Sequence, residues 1–307
     1  MIKFNINNDV VAIIAPSSAY RDEKGMMDLA LNYEQLQVQL SLFKQYDFNC
    51  KYDENIFSCD SLEFFANTKQ ERLRQFKEAL LNPDVKIISA FRGGYGASEI
   101  AFDCLDIEPS GPKILVGFSD ITVLHFLFTQ QYNFPSIHFL VNEKSQEMLS
   151  EFMSIMQGTN AKFELINLNS NIEENGDIKG ITTGGNLTII TTMIGTKLHP
   201  KTKNKILIIE EVGEISYRVH RYLLHMFHAG LFNEVAAVIF GDFTDTDKNI
   251  DLTINDFVDN YLTNIPVYKT ENLGHGPINY PFTINSKASI KNNTLIIESP
   301  FNIVEKS

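Results

Sequence analysis

An α/β fold arranged as two domains is predicted, on three observations. Short apolar runs alternate with amphipathic stretches through the first half, the pattern of strands and helices layered on a sheet. The chain has 307 residues, more than one hydrophobic core usually organises. Between about residues 143 and 180 the character changes to a polar, turn-rich interval that includes NLNSNIEENGDIKG. The join placed there separates a first domain, residues 1–158, from a second, residues 172–307.

In order along the chain, Val10 to Ala15 reads as a buried strand stopped by Pro16, Ser17 and Ser18. Leu29, Tyr33, Leu36, Leu40 and Phe43 recur at helical spacing after Asp28, and Phe64 to Leu81 repeats that pattern until Asn82 and Pro83. Val85 to Ala90 is the next strand, running into FRGGYG, and a helix from Gly96 carries Ile100 and Phe102. After EPSGPK comes a strand from Ile114 to Phe118, and ITVLHFLFTQQY has the periodicity of a well-buried helix. KSQEMLSEFMSIMQ reads as a further helix. In the second half, Lys205 to Ile209 is a strong strand, Ser216 to Ala229 an amphipathic helix, and Val235 to Phe240 another strand. The tail SKASIKNNTLIIES reads as a hairpin.

Composition narrows the function. The chain is 44% apolar and 21% charged, ordinary for a globular protein. Its 26 basic against 38 acidic residues leave a formal charge of −12, which disfavours nucleic acid as a partner because phosphate contact needs clustered cations. No run approaches the roughly 20 apolar residues that span a bilayer, so no membrane association is expected. The start, MIKFNINNDVVAIIAPSS, lacks a basic region followed by a sustained apolar run, and a cytoplasmic location is expected. Cys50, Cys59 and Cys104 fit neither a zinc site nor a redox pair and read as incidental thiols. There is no tryptophan.

The strongest chemical signal is ILVGFSDITVLHF, where Ser119 stands at the join of a buried strand and a helix. Such an elbow exposes a hydroxyl beside backbone donors, and the amide of Asp120 can bind an oxyanion. Ile121 stands where GxSxG has its second glycine, and a plain helix N-cap accounts for the same residues. FRGGYG also follows a strand, with Gly93 and Gly94 able to turn amides toward an anion or simply to make a positive-φ turn.

A serine nucleophile needs a base and an acid to orient it. Of seven histidines, His275 in NLGHGPINYPF has the best context, because glycines and prolines hold a loop that can present a side chain; a structural turn histidine is the alternative. His220, His225 and His228 lie on the amphipathic helix, His125 lies in the apolar one, and His138 and His199 stand beside prolines without further signal. The acid is sought in KILIIEEVGEISYR, with Glu210 favoured and Glu211 and Glu214 as alternatives, since adjacent strand residues face opposite ways.

Together, VAIIAPSS, ISAFRGGYGASEI, ILVGFSDITVL, TTGGNLTII, ILIIEEVGEISYRVHRYLLHMFHAG, VIFGDF and GHGPINYPF resemble, in order, the L,D-carboxypeptidase family of muramoyltetrapeptide carboxypeptidases. The resemblance implies an amidotransferase-like, Rossmann-type N-terminal domain carrying Ser119 and a smaller, β-rich α/β C-terminal domain carrying Glu210 and His275. It implies a cytoplasmic, metal- and cofactor-independent homodimer that removes terminal D-alanine from muropeptide tetrapeptides. On the same footing, Gly94 and Asp120 supply oxyanion amides. Arg92 receives the substrate carboxylate or braces the turn, and Gly93, Gly184, Gly185 and Asn186 approach the peptide or make tight packing turns. The rival readings are a microcin-immunity-type peptidase acting on aminoacyl or peptidyl nucleotides, an L,D-endopeptidase on wall crosslinks, a non-catalytic anion-binding module and a cysteine-dependent amidotransferase. The immunity branch is disfavoured because its members resemble one another in stacking the base on a tryptophan, a platform that this chain lacks.

Overall fold

A computed structural model of the chain describes residues 2–6, 8–59, 62, 64–142, 147–169 and 177–304. Its elements in chain order are β1 (Ile2–Asn5), β2 (Val10–Ile14), α1 (Leu29–Lys44), β3 (Asn49–Tyr52), α2 (Lys69–Leu81), β4 (Val85–Ala90), α3 (Ala97–Ala101), β5 (Ile114–Gly117) and α4 (Thr122–Phe126). There follow β6 (Ser136–His138), α5 (Leu149–Met156), β7 (Ala161–Glu164), β8 (Ile166–Asn167), β9 (Ile178–Asn186), α6 (Leu187–Thr192), β10 (Lys205–Val212) and α7 (Ser216–His228). The chain closes with β11 (Ala237–Thr244), α8 (Ile250–Tyr261), β12 (Val267–Lys269), β13 (Phe282–Ile284), β14 (Lys287–Lys291), β15 (Thr294–Ile297) and β16 (Phe301–Val304).

The fold is mixed α/β, as expected. One sheet has the order β13-β6-β5-β4-β2-β3, parallel throughout except for β13, which runs antiparallel to β6. A second has the order β7-β15-β14-β9-β10-β11-β12-β8, with a parallel centre of β9 to β12 and antiparallel flanks, and β1 and β16 form a third of two strands. The buried strands read as near-continuous apolar runs because helices cover them. Leu124 and Phe126 of α4 share one core with Leu187 and Ile190 of α6 and Val219 and Leu223 of α7, so helices of the two sheets pack on each other.

Two strand pairings cross the division expected between residues 158 and 172. Phe282–Ile284, numbered with the second domain, pairs with β6 of the first sheet, and Phe301–Val304 pairs with Ile2–Asn5. Both segments cover backbone edges that would otherwise be unpaired, which is why the chain crosses back. Residues 170–172 of the expected join, and residues 144–146 of the helix read in KSQEMLSEFMSIMQ, lie outside the described residues; that helix runs from Leu149 to Met156.

Three local expectations differ. The helix read from Phe64 starts at Lys69 with Thr68 as its cap, because the preceding backbone is spent on tertiary bonds: Ala66 N–H donates to Ser17 O, and Phe64 O accepts from the Ser18 hydroxyl. The apolar helix after Ser119 is built in three pieces, a 3₁₀ turn at Ser119–Ile121, α4, and a π-helical turn at Leu127–Gln131. Helix α8 was not anticipated, since IDLTINDFVDNY is rich in β-branched, Asp and Asn residues of low helix propensity; burial of Ile254, Phe257 and Val258 stabilises it instead.

Candidate active site

Glu210 of the second sheet pairs with His275, whose ring lies against Phe118, the residue before Ser119. Ser119 follows β5 with φ of 60°, a left-handed conformation costly for a residue with a Cβ and found at functional turns. The elbow is held from outside. The Asp120 carboxylate accepts hydrogen bonds from Ser17 Oγ at 2.6 Å and from the Ala97 amide at 2.8 Å, and burial pushes this carboxyl up. Ser17 therefore ties the end of β2 to the elbow, and Ala97 ties in the start of α3.

The glycine loop after β4 packs directly on the serine. A Cβ on Gly93 would lie 2.7 Å from Ser119 Cβ and 3.1 Å from its Oγ, so only glycine allows this approach. Gly94, at φ 113°, would place a Cβ 2.4 Å from Ser18 Oγ. That hydroxyl accepts from the Tyr95 amide at 3.0 Å, fastening the loop to the turn after β2. Arg92 braces the same turn, its Nη1 donating to Ala19 O at 3.1 Å and its guanidinium lying 4.4 Å from the Tyr20 ring centre. Burial lowers the Arg92 pKa from its ordinary value.

Glu210 is fully buried near the end of β10, and Cα register between β10 and β11 shifts beside it, between Ile209 and Glu211. A bulge there re-aims side chains next to the site. Glu210 Oε2 lies 2.5 Å from His275 Nδ1. Burial alone pushes the Glu210 carboxyl up, but the charge of His275, with His138 behind it, reverses this and holds it at about 2. Burial pushes the His275 imidazole down, and the opposing charge and hydrogen bond of Glu210 leave it above its ordinary value. With Nδ1 engaged by Glu210, Nε2 is the ring nitrogen left for proton transfer.

The loop that delivers His275 is built around close approach. Gly274, at φ 139°, would place a Cβ 2.9 Å from Glu210 Cβ. Asp242 anchors the loop from β11, its amide donating to Leu273 O and its Oδ1 accepting from the Asn272 amide. The His275 ring then stacks on Phe118, centroids 4.5 Å apart and planes at 28°, one residue before Ser119.

Of the alternative acids, Glu211 turns the other way. It accepts from Thr188 N and Oγ1 and from Asn186 Nδ2, at 2.7–2.8 Å, and so caps α6. Glu214 contacts Arg218 and Tyr222. Gly184, Gly185 and Asn186, expected to approach the peptide or to make tight packing turns, are closely packed. Asn186 is 4% exposed and caps α6 through Oδ1, a Cβ on Gly184 would sit 1.8 Å from Ile208 O, and one on Gly185 would sit 2.5 Å from Thr122 Oγ1. These are packing turns, and they join β9 to the helix that follows Ser119: the Asn186 amide donates to Thr122 Oγ1 at 3.0 Å.

His138 was weighed in the sequence only as a histidine without further signal, and Phe118, Ser17 and Ser18 only as strand ends. His138 is fully buried at the end of β6 with Nε2 3.6 Å from Glu210 Oε1, an electrostatic contact longer than a hydrogen bond. Among the described residues no group of three or more His, Cys, Asp or Glu is arranged to hold a metal ion, and no helix is long and apolar enough to cross a membrane.

Comparison with known proteins assigns the chain to a class, the peptidases. Residues 11–139 match the family described as LD-carboxypeptidase N-terminal domain, and residues 179–290 match the LD-carboxypeptidase C-terminal domain. A Rickettsia conorii protein assigned to the carboxypeptidases is 33% identical over 297 residues, 93% of this chain and 89% of its own length. The murein tetrapeptide carboxypeptidase of Pseudomonas aeruginosa is 28% identical, covering 76% of this chain and 81% of its own. The solved structure of muramoyltetrapeptide carboxypeptidase from Oxalobacter formigenes superposes with a TM-score of 0.75 at 25% identity, over 95% of this chain and 99% of that one. The microcin C7 self immunity protein MccF, solved with aspartyl sulfamoyl adenosine, shares the fold at a TM-score of 0.75 and 18% identity, over 96% of this chain and 97% of its own. The chain belongs to the LD-carboxypeptidase family.

Proposed function

We propose that the protein is a serine carboxypeptidase that removes the terminal D-alanine from the L,D bond of murein tetrapeptides. The observation that carries the reading is the 2.5 Å pairing of Glu210 with a His275 ring stacked on the residue before the strained Ser119. Ser119 Oγ attacks the carbonyl carbon of the third stem residue while its proton passes to His275 Nε2. Glu210, ionised across the working pH range, balances the imidazolium. Collapse of the tetrahedral species breaks the C–N bond, and His275 returns the proton to the leaving amine of D-alanine. Water, deprotonated by the same ring, then releases the acyl group from Ser119.

The amides of Gly94 and Asp120 are the oxyanion donors in this reading, each contributing on the order of 3 kcal/mol to barrier lowering. Arg92, braced on Ala19 and Tyr20, is the cation nearest the glycine loop in sequence and is assigned the free carboxylate of the peptide. The murein tetrapeptide carboxypeptidase of Pseudomonas aeruginosa and the Oxalobacter formigenes structure support the choice of substrate. The absence of tryptophan weighs against base stacking of the immunity-protein kind. The protein is further proposed to act as a cytoplasmic homodimer, without cofactor.

The test is release of free D-alanine from a purified tetrapeptide muropeptide. Turnover by the parent and none by Ser119→Ala supports the assignment. Equal turnover by both removes Ser119 as nucleophile. Binding without turnover favours an anion-binding module, and cleavage of aminoacyl nucleotides or crosslinked wall in place of the tetrapeptide redirects the substrate.

A further inference from the structure

Behind Glu210, on the side away from His275, lies an arrangement that the peptidase reading leaves unused. His138 has 0% exposure, and neither of its ring nitrogens has a hydrogen-bond partner among the described residues. Glu210 Oε1 likewise has none, and the two meet: His138 Nε2 faces Oε1 at 3.6 Å. A buried imidazole without partners is unfavourable, and a phenylalanine would fill the space without that penalty. The ring is fixed in place by stacking on Phe282, centroids 4.7 Å apart, and by the edge of Phe118 at 6.1 Å.

The direction of the contact follows from elementary chemistry. An ionised carboxylate only accepts, so a bare Nε2 lone pair against Oε1 would repel it; Nε2 carries the hydrogen. The other titratable side chain facing the ring, His125 of α4 at 5.8 Å, is already engaged. Its Nδ1 and Nε2 pair with Ser136 Oγ at 2.8 Å and Gly117 O at 2.9 Å, and burial lowers its pKa to about 3, so it is uncharged. Glu210 is therefore the group that His138 can act on. His275, Glu211 and Asp242 are the other titratable groups around that carboxylate.

We propose that His138 is a positioning residue that holds the Glu210 carboxylate from the first sheet while His275 engages it from the loop after β12. The proposal rests on the serine-peptidase reading for its role in turnover, but the contact itself does not. Glu210 comes from the second sheet, whereas His138 pairs in register with Gly117 of β5, two residues before Ser119. The contact thus fixes the carboxylate relative to the strand that carries the nucleophile. The positive end of Nε2–H also takes up part of the carboxylate field, which moderates the hold of Glu210 on His275.

The experiment uses the full chain and two readouts, the pH dependence of D-alanine release and the NMR titration of the His275 ring, assigned by its loss in His275→Gln. His138→Phe keeps the stack on Phe282 and removes the donor. It is expected to lower kcat/KM on the order of tenfold, the scale lost when a partner orienting a functional group is removed. It is also expected to move the His275 titration, and with it the acid limb of the rate profile, upward by about half a pH unit. His138→Gln restores an N–H of similar reach and should return both to near parent values. His138→Asn, too short to reach Oε1, should behave as His138→Phe and serves if that variant does not fold. An unchanged His275 titration in His138→Phe or His138→Asn, or identical behaviour of the Gln and Phe variants, would overturn the proposal. Because the NMR titration needs no turnover, a parent without D-alanine release defeats the peptidase reading and leaves this contact to be judged separately.

Discussion

Glu210 Oε2 and His275 Nδ1 are 2.5 Å apart across 65 positions of sequence, one at the end of a buried strand and the other on a glycine-flanked loop. The carboxylate is buried completely while the imidazole side chain keeps 12% exposure. An ion pair so placed has a fully buried inner partner and an outer partner still reached by solvent.

Replacing Ser119 separates strain from chemistry. Ser119→Ala should reduce kcat on the order of a millionfold, the scale known when a serine nucleophile is deleted. Ser119→Gly should be equally inactive yet more stable by about 1 kcal/mol, because glycine adopts φ of 60° without the Cβ penalty. Denaturant melts of the two variants check this, and a Gly variant no more stable than the parent would contradict the strain.

The ion pair makes stability and activity respond oppositely to pH. A raised imidazole pKa contributes stability below about 6.5, where the unfolded ring is charged, and loses it as pH rises through the folded value. A lowered carboxyl pKa contributes above about 4.3 and loses it as pH falls through about 2. The pair therefore stabilises most between about pH 4.3 and 6.5. Thermal denaturation should show His275→Gln costing more stability at pH 5.5 than at pH 9. D-Alanine release should rise over the upper limb, above about pH 6.5, as the ring loses its proton.

Two glycines should fail in different ways. Gly184→Ala forces a Cβ to 1.8 Å from Ile208 O and should destabilise the chain by about 3 kcal/mol or more with proportionate loss of activity. Gly274→Ala meets Glu210 Cβ at 2.9 Å, where the loop can retreat outward, and should lose at least tenfold in kcat/KM for about 1–2 kcal/mol of stability. Urea melts beside kinetics distinguish them; a Gly274→Ala enzyme of full activity would mean that the loop has slack.

Alkylation should leave the enzyme working. Burial pushes the Cys104 thiol up to about 12 and the Cys50 thiol up to about 11, so neither forms thiolate readily near neutral pH. Cys59 is exposed and should take up iodoacetamide first, as read by mass spectrometry, without loss of D-alanine release. Inactivation in step with labelling would revive a cysteine nucleophile.

Much of this architecture was legible locally. Apolar periodicity marked β2, β4, β5, β10 and α7 to within a few residues, since period and turn chemistry are properties of a short window. A serine at a strand-to-helix junction, paired glutamates at a strand end and a histidine between glycines could be picked out for the same reason. Which glutamate meets the histidine could not, because Glu210 and Glu211 differ only in the face of β10 they occupy and in the register beside β11. The two glycines of β9 read equally well as ligand contacts until Ile208 O and Thr122 were seen against them. His138 had no local mark at all, for its meaning lies in facing a carboxylate carried by another sheet. Residue type and spacing disclose what a side chain is able to do; burial, register and the meeting of distant strand ends decide which of those capacities the folded chain puts to use.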